Sequence, residues 1–305
     1  WMDLRVPANN AIMRVKSGVC QLFRESLYSQ GFIEIQSPKL IGGESESGAG
    51  VFKTDYFGQE ACLAQSPQLY KQMAIASDFD RVFEVGPVFR AENSNTRRHL
   101  CEFVGLDLEM AISESYVEAL QVCHKMFKHI FEGLEARYAT EMAVIREQYH
   151  SEPVQFTDEP CIIHWDEGIA MIKEAGFDVG DGMQDLSGAQ ELALGAAVKA
   201  KYGTDFFMLD QYPSSIRPFY TMPMEDRRYS NSYDMFIRGQ EICSGAQRCH
   251  DPAMLREILA SKGLADALEE GGGLVSYVKA FENGVHPHAG AGIGLERVVF
   301  LALGL

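Results

Sequence analysis

Residues 82–110, VFEVGPVFRAENSNTRRHLCEFVGLDLEM, read as two strands joined by a polar loop, and their charged side chains share one face. Period-2 alternation puts Glu84, Gly86, Val88, Arg90 and Glu92 on one side of the first strand and Phe83, Val85 and Phe89 on the other. On the second strand Val104, Leu106, Leu108 and Met110 are the apolar set, and Phe103, Gly105, Asp107 and Glu109 lie opposite. An outer face of carboxylates, an arginine, an aromatic ring and glycine gaps suits a ligand held flat against a sheet. In the loop, Arg97, Arg98 and His99 are placed to reach phosphates above it, although a basic pair alone equally fits a solvated turn.

Three other segments carry chemistry. AGAGIGLERVVFLALGL, residues 289–305, starts glycine-rich and turns helical, with Leu295, Val298, Val299, Ala302 and Leu305 as an apolar stripe. Gly290, Gly292 and Gly294 let another chain or a nucleotide come close to the helix start, and the spacing is not that of a dinucleotide fingerprint. YDMFIRGQEICSGAQRCH, residues 233–250, supplies Asp234, Glu241 and Ser244, hard oxygen ligands suited to Mg²⁺ on nucleotide phosphates, together with Arg248. QSPQLYKQ, residues 65–72, predicts a helix with Ser66 as N-cap, Pro67 at N1 and Lys71 one turn on.

FRAE followed by RHLCEF resembles motif 2 of the class II aminoacyl-tRNA synthetases, in the form of the aspartyl enzymes of archaea and the eukaryotic cytosol. The resemblance implies that Arg90 grips the α-phosphate of ATP, Glu92 contacts the adenine end, Phe103 stacks on adenine and His99 helps bind phosphates. GIGLERV is similar to motif 3, which implies a nucleotide lying close over Gly294 and Arg297 on its terminal phosphate. The 233–250 block matches the aspartyl family closely, and there Asp234, Glu241 and Ser244 stand at the magnesium positions, Glu241 and Ser244 beside the bound substrates. The same resemblance places Arg248 and Lys71 on the substrate's side-chain carboxylate, where an arginine fork and a lysine charge suit an acid better than an amide. It places Asp107, helped by Gln68 or Gln65, on the α-ammonium, and Glu46, in ESESGAG, in a loop that closes over the amino acid.

Several elements must hold these groups. Ile12, Val15, Val19, Leu22, Phe23 and Leu27 mark an amphipathic helix that Gly31 stops, and FIEIQSP reads as a strand ending at Pro38; residues 9–38 resemble motif 1, which implies a homodimer interface. Residues 115–149 predict one long helix with a Ser115–Glu118 capping box, 152–204 an insertion of short helices beside the catalytic sheet, and 205–213, PFYTMP and SYDMFI further strands. HPH at 286–288 is not read as a metal pair, since His288 matches a turn that precedes motif 3 in the family.

Composition agrees. The 305 residues are 46% hydrophobic, enough for a sizeable core. A net charge of −16, from 27 basic and 43 acidic residues, excludes bulk attraction to nucleic acid and leaves local, shaped RNA contact. Seven cysteines without a CxxC pair point to free thiols and a cytoplasmic setting, and no apolar run approaches the length of a membrane span. The expectation is an α+β class II synthetase core over residues 1–305, an antiparallel sheet flanked by helices. It would use ATP and Mg²⁺ to activate L-aspartate for transfer to tRNA(Asp), without a covalent nucleophile. The family's N-terminal OB-fold anticodon-binding domain and its short tail ending in Phe-Pro-Arg are not found in these residues. The alternatives are an asparaginyl-tRNA synthetase, an asparagine synthetase of the same fold, or an inactive RNA-binding paralogue.

Overall fold

In the computed structural model, which describes residues 1–43, 50–93, 100–269 and 273–305, eight strands form one sheet. In sheet order these are β1 (Ile33–Glu34), β5 (Arg81–Phe89), β6 (Glu102–Ala111), β11 (His288–Gly294), β10 (Gln240–Gln247), β9 (Ser232–Ile237), β8 (Phe206–Asp210) and β7 (Ile162–His164). The pairing is antiparallel except at the two edges, where β1 joins β5 and β7 joins β8 in parallel. A smaller sheet of β2 (Leu40–Ile41), β4 (Gln59–Leu63) and β3 (Lys53–Tyr56) stands apart. The expected α+β class and antiparallel sheet are therefore found. The glycine-rich start of the 289–305 block is itself a central strand, β11, where the sequence suggested only a helix start.

The alternation read in residues 82–110 is realised in register, with Glu84 opposite Asp107, Gly86 opposite Gly105 and Val88 opposite Phe103. The other face of that hairpin, Phe83, Leu106, Leu108 and Met110, is buried. It packs in one core with Val15, Val19, Leu22 and Phe23 of α1 (Pro7–Ser29) and with α3 (Val117–Arg137). The same core takes in Leu295, Val298 and Val299 of the last helix, α9 (Leu295–Ala302). Helices thus cover the apolar face, and the charged face is left to the site. On that side α2 (Gln68–Ala76), α7 (Pro252–Ser261) and α8 (Val275–Phe281) make a second core around Leu69, Tyr277 and Phe281.

Three expectations need correcting. PFYTMP, residues 218–223, is not a strand; Thr221 and Pro223 make only isolated bridges, to Arg248 and Ser230. The long helix over 115–149 is two, α3 and α4 (Ala139–Tyr149), broken at Tyr138, whose φ of −118° and ψ of 27° leave the helical range. The Tyr138 ring lies across α1 at Gly18, where a Cβ would come within 2.5 Å of it, so tertiary packing outweighs helix continuity. The capping signal itself is sound: the Glu118 carboxylate accepts backbone N–H bonds from Ser113, Glu114 and Ser115. In the first helix of the site, Pro67 is the cap residue and the helix starts at Gln68, one residue later than expected, with Ser66 Oγ accepting from Gln68 N at 3.2 Å.

The 152–204 stretch holds two helices, α5 (Trp165–Glu174) and α6 (Gly188–Tyr202), and also supplies strand β7. Its α6 begins with a complete Ser187–Gln190 capping box and packs on the β9–β10 turn, where Arg238 and Gly239 both have positive φ. A Cβ on Gly195 would sit 2.3 Å from the Gly239 Cα, backbone against backbone. Gly195→Ala is expected to cost about 1–3 kcal/mol through overpacking, read as a lowered thermal unfolding midpoint. An unchanged midpoint would show that the contact is not tight.

Candidate active site

Strand register lines up the ligand face as rows across the sheet. One row runs Glu84, Asp107, Gly292, Ser244 and Asp234 across β5, β6, β11, β10 and β9. The next runs Val82, Glu109, Gly290, Ala246 and Ser232. The central strand presents only glycines to this face, Gly290, Gly292 and Gly294, so the middle of the site is a bare backbone floor. Above it lies a cleft of about 720 Å³, lined among others by Gln68, Arg90, Phe103, Asp107, Glu241 and Arg297.

At one end is a buried charge cluster. Glu109, fully buried, accepts a fork from Arg248, with Nε at 3.0 Å from Oε1 and Nη2 at 3.1 Å from Oε2. Lys71 Nζ lies 2.9 Å from Asp107 Oδ1, 3.0 Å from the Ala291 carbonyl and 3.6 Å from Glu109 Oε2. Burial pushes the Glu109 carboxyl up, but Arg248, Lys71 and His288 pull it further down, so it stays ionised. A Cβ at Gly290 would meet Glu109 Oε2 at 2.2 Å, so the carboxylate rests on the bare strand. Arg248 lines the cleft, and among the described residues its Nη1 has no hydrogen-bond partner. Lys71, expected beside it on the same substrate group, is only 1% exposed and lies beneath Asp107.

Behind the cluster, His288 is fully buried and its imidazole pKa is lowered, by burial first. Its Nδ1 is 2.8 Å from the His286 carbonyl and its Nε2 3.2 Å from Gln72 Nε2, which assigns a neutral ring donating from Nδ1 and accepting at Nε2. The Gln72 amide oxygen in turn accepts from Gln68 at 2.9 Å and Tyr277 at 3.2 Å. The chain of bonds fixes Gln68 at the cleft wall.

The other end is cationic and aromatic. Arg90 continues the β5 ladder through its N–H to the Cys101 carbonyl, its guanidinium stands 5.3 Å over the Phe103 ring, and its Nε is buried with no hydrogen-bond partner. Arg297, in the first turn of α9, donates Nη1 to the Glu241 carbonyl at 3.1 Å and lies 3.9 Å from its carboxylate. Glu241 sits at a β-bulge between Glu241 and Cys243. Its carboxyl is pushed up to about 7, by desolvation first and then by Asp234, against Arg297 and Arg217. The side chain is 36% exposed to the cleft, so solvent tempers that shift.

Of the three magnesium candidates, Glu241 and Ser244 line the cleft and Asp234 does not. Asp234 is 5% exposed, and its Oδ1 lies 2.8 Å from Arg217 Nη2 without an aligned hydrogen bond. The hard oxygens of Glu241 and Ser244 at the cleft fit a divalent cation. Gly294 and Glu92 line the cleft as expected. Glu46 and His99, with Arg97 and Arg98, lie outside the described residues. Two site residues escaped the sequence reading. Glu109 was placed on the right face but given no role, and Arg217 sits in an irregular segment whose pattern carries no signal.

Removing the Glu109 charge leaves Arg248 and Lys71 with an uncompensated buried positive charge. Glu109→Gln is expected to cost about 3–5 kcal/mol at neutral pH, measured by denaturant unfolding. Because the folded-state pKa is depressed, the stabilisation is present above the ordinary carboxylate value of 4.5 and lost as pH falls below it. The gap between variant and wild type should therefore narrow in acid; a constant gap would contradict the ionised assignment.

The whole chain, residues 1–305, matches the family model for class II tRNA synthetases (D, K and N). It is 52% identical over 305 residues to the cytoplasmic aspartate–tRNA ligase of Caenorhabditis elegans, covering all of this chain and 56% of that protein. Among solved structures, the aspartyl-tRNA synthetase of Entamoeba histolytica shares 50% identity at a TM-score of 0.88, over 99% of this chain and 57% of that one. The asparaginyl-tRNA synthetase of Pyrococcus horikoshii, complexed with asparaginyl-adenylate, shares 30% identity at a TM-score of 0.89, over 99% and 67%. The chain thus spans little more than half the length of the aspartate-specific relatives. The match over every residue places the chain in the class II tRNA synthetase family of the D, K and N group.

Proposed function

We propose that these residues are the catalytic core of an aspartate–tRNA ligase, which activates L-aspartate with ATP and passes it to the 3′-terminal adenosine of tRNA(Asp). The observation that carries the reading is the buried Lys71–Asp107–Glu109–Arg248 cluster, which turns an arginine edge toward the cleft beside a carboxylate. Asp107 and Gln68 accept the α-ammonium, and Arg248, with Lys71 behind it, meets the side-chain carboxylate. The similarity to relatives named aspartate–tRNA ligase supports the same substrate.

In the reaction an α-carboxylate oxygen bonds to the α-phosphorus of ATP, and the bond to the β-phosphate oxygen breaks, so that pyrophosphate leaves with the electron pair. Arg90, over Phe103, holds the α-phosphate with adenine stacked on that ring, Glu92 receives the adenine end, and Gly294 lets the nucleotide lie close. Arg297 takes the terminal phosphate. Catalysis is positioning and neutralisation of developing charge. Mg²⁺ would be held by Glu241 and Ser244, and when bound supplies charge neutralisation on the phosphates. His99 and Glu46 are proposed, from the resemblance alone, as phosphate and lid contacts.

A homodimer through residues 9–38 is part of the proposal: Met13, Tyr28 and Ile33 are each at least half exposed on the helix and strand concerned. A cytoplasmic setting is proposed from the relatives' names, and among the described residues no helix is long and apolar enough to cross a membrane.

These 305 residues are expected to catalyse aspartate-dependent exchange between pyrophosphate and ATP. Asparagine should support it at least about tenfold less well, because an amide leaves the Arg248 charge unanswered. Equal rates with the two amino acids would remove the aspartyl assignment. Arg90→Ala and Arg297→Ala should each lower the exchange rate about a hundredfold, near 3 kcal/mol, with the thermal midpoint little changed. Near-normal exchange in either variant would refute the role assigned to that arginine.

A further inference from the structure

Arg217 is anchored on every side but one. It leaves the 3-10 turn Ser214–Ile216 between β8 and β9, and its carbonyl accepts from Lys262 Nζ at 2.8 Å. Its guanidinium lies 3.7 Å over the Tyr212 ring, donates from Nε to Ser232 Oγ at 3.1 Å and from Nη1 to Ser244 Oγ at 3.2 Å, and brings Nη2 to 2.8 Å from Asp234 Oδ1. Arg217 and Ser244 line the cleft, and Asp234 lies behind them. So Arg217 covers two of the three oxygens that the sequence assigned to magnesium. A group held by stacking, two hydroxyls and a carboxylate is a fixed part of the wall rather than a mobile occupant.

Its place beside Ser244 and Asp234 at the end of the row says what it faces. Ser244 and Asp107 are separated by one strand, with Gly292 between them, a span of roughly 10 Å at normal strand spacing. An amino acid with its ammonium on Asp107 lays its α-carboxylate over the bare Gly292, toward Ser244 and the guanidinium. Nη2 is enclosed against Asp234, whereas Nη1 carries two N–H groups and gives one to the cleft-lining Ser244, so Nη1 keeps a donor for a ligand oxygen.

We infer that Arg217 is a further substrate-facing cation of this cleft, set against the anionic oxygens where the amino-acid carboxylate joins the phosphate, and that Asp234 is a positioning residue that aims it. The inference rests on the adenylate-forming reading above. It shifts Asp234 from metal ligand to carrier of an arginine, and leaves the direct magnesium contacts to Glu241 and Ser244.

The test combines Arg217→Ala, Arg217→Lys, Asp234→Asn and the Arg217→Ala/Asp234→Asn double variant in the full 305-residue chain. Arg217→Ala should lower the exchange kcat at least tenfold while the KM for aspartate moves less than threefold. Arg217→Lys should recover little, because an ammonium cannot keep the stacked three-way geometry. The double variant should match Arg217→Ala alone, since Asp234 would act only through the arginine. A second readout needs no turnover: calorimetric titration of ATP at rising Mg²⁺ should give the same half-saturation for Asp234→Asn as for wild type, and a higher one for Glu241→Gln. Multiplying defects in the double variant, or a magnesium shift in Asp234→Asn as large as in Glu241→Gln, would overturn the inference. If Arg217→Ala fails to fold, Arg217→Lys and the magnesium titration of Asp234→Asn decide it. Absence of aspartate-dependent exchange in the wild type would count against the adenylation reading instead, and the magnesium titration would still decide this one.

Discussion

The site is organised around a carboxylate that has no access to water. Glu109 lies in the middle of the eight-stranded sheet, and it remains charged only because Arg248 grips it from one side and Lys71 approaches from the other. Desolvating such a group is costly, and its partners offset that cost only with close geometry and satisfied hydrogen bonds. Everything nearby serves that condition. Gly290 removes a side chain so the carboxylate can lie across the strand, Ala291 lends a carbonyl to Lys71, and Asp107 takes the remaining lysine charge. The cluster contributes little net stability by itself. What it secures is the place and direction of Arg248 and Asp107, the two groups of the cluster that reach the cleft.

The second constraint is the bare floor. A strand with glycine at each cleft-facing position packs poorly and is entropically expensive, so it persists only between well-ordered neighbours. β6 and β10 provide them, and the alternate residues Ala289, Ala291 and Ile293 pay no such penalty because they are buried in the helical core. The arrangement leaves bare backbone as the floor of the cleft with cations around its rim: Arg90 and Arg297 at one end, Arg248 at the other, and Arg217 along the β9 side.

How much of this was legible differs by residue. Period-2 alternation along 82–110 placed Glu84, Asp107, Glu109 and Phe103 on one face correctly, because strand geometry is local and one face of that hairpin had to be apolar. The motif resemblance identified Arg90, Arg297, Glu241 and Arg248 as cleft residues. Partner choice was not legible. Lys71 and Arg248 were read as facing a ligand together, whereas the fold gives each of them an internal carboxylate first, and no spacing in the chain announces that pairing. Arg217 was invisible for the same reason: its importance comes from Tyr212, Ser232, Asp234 and Ser244, which meet only through tertiary packing. The break at Tyr138 belongs here too, since a continuous helical pattern says nothing about a ring that must cross a neighbouring helix.

The contact between Gly195 and Gly239 gives the peripheral segment a mechanical role. With no side chains between them, α6 and the β9–β10 turn bear on each other directly, and there is no rotamer to absorb a displacement. The strands leaving that turn carry Asp234 on one side and Glu241 on the other. A shift of α6 by a fraction of an ångström is therefore passed on as backbone motion at both carboxylates. Stretches of chain that look like loose decoration on a sheet can in this way set the tolerance to which its charges are held.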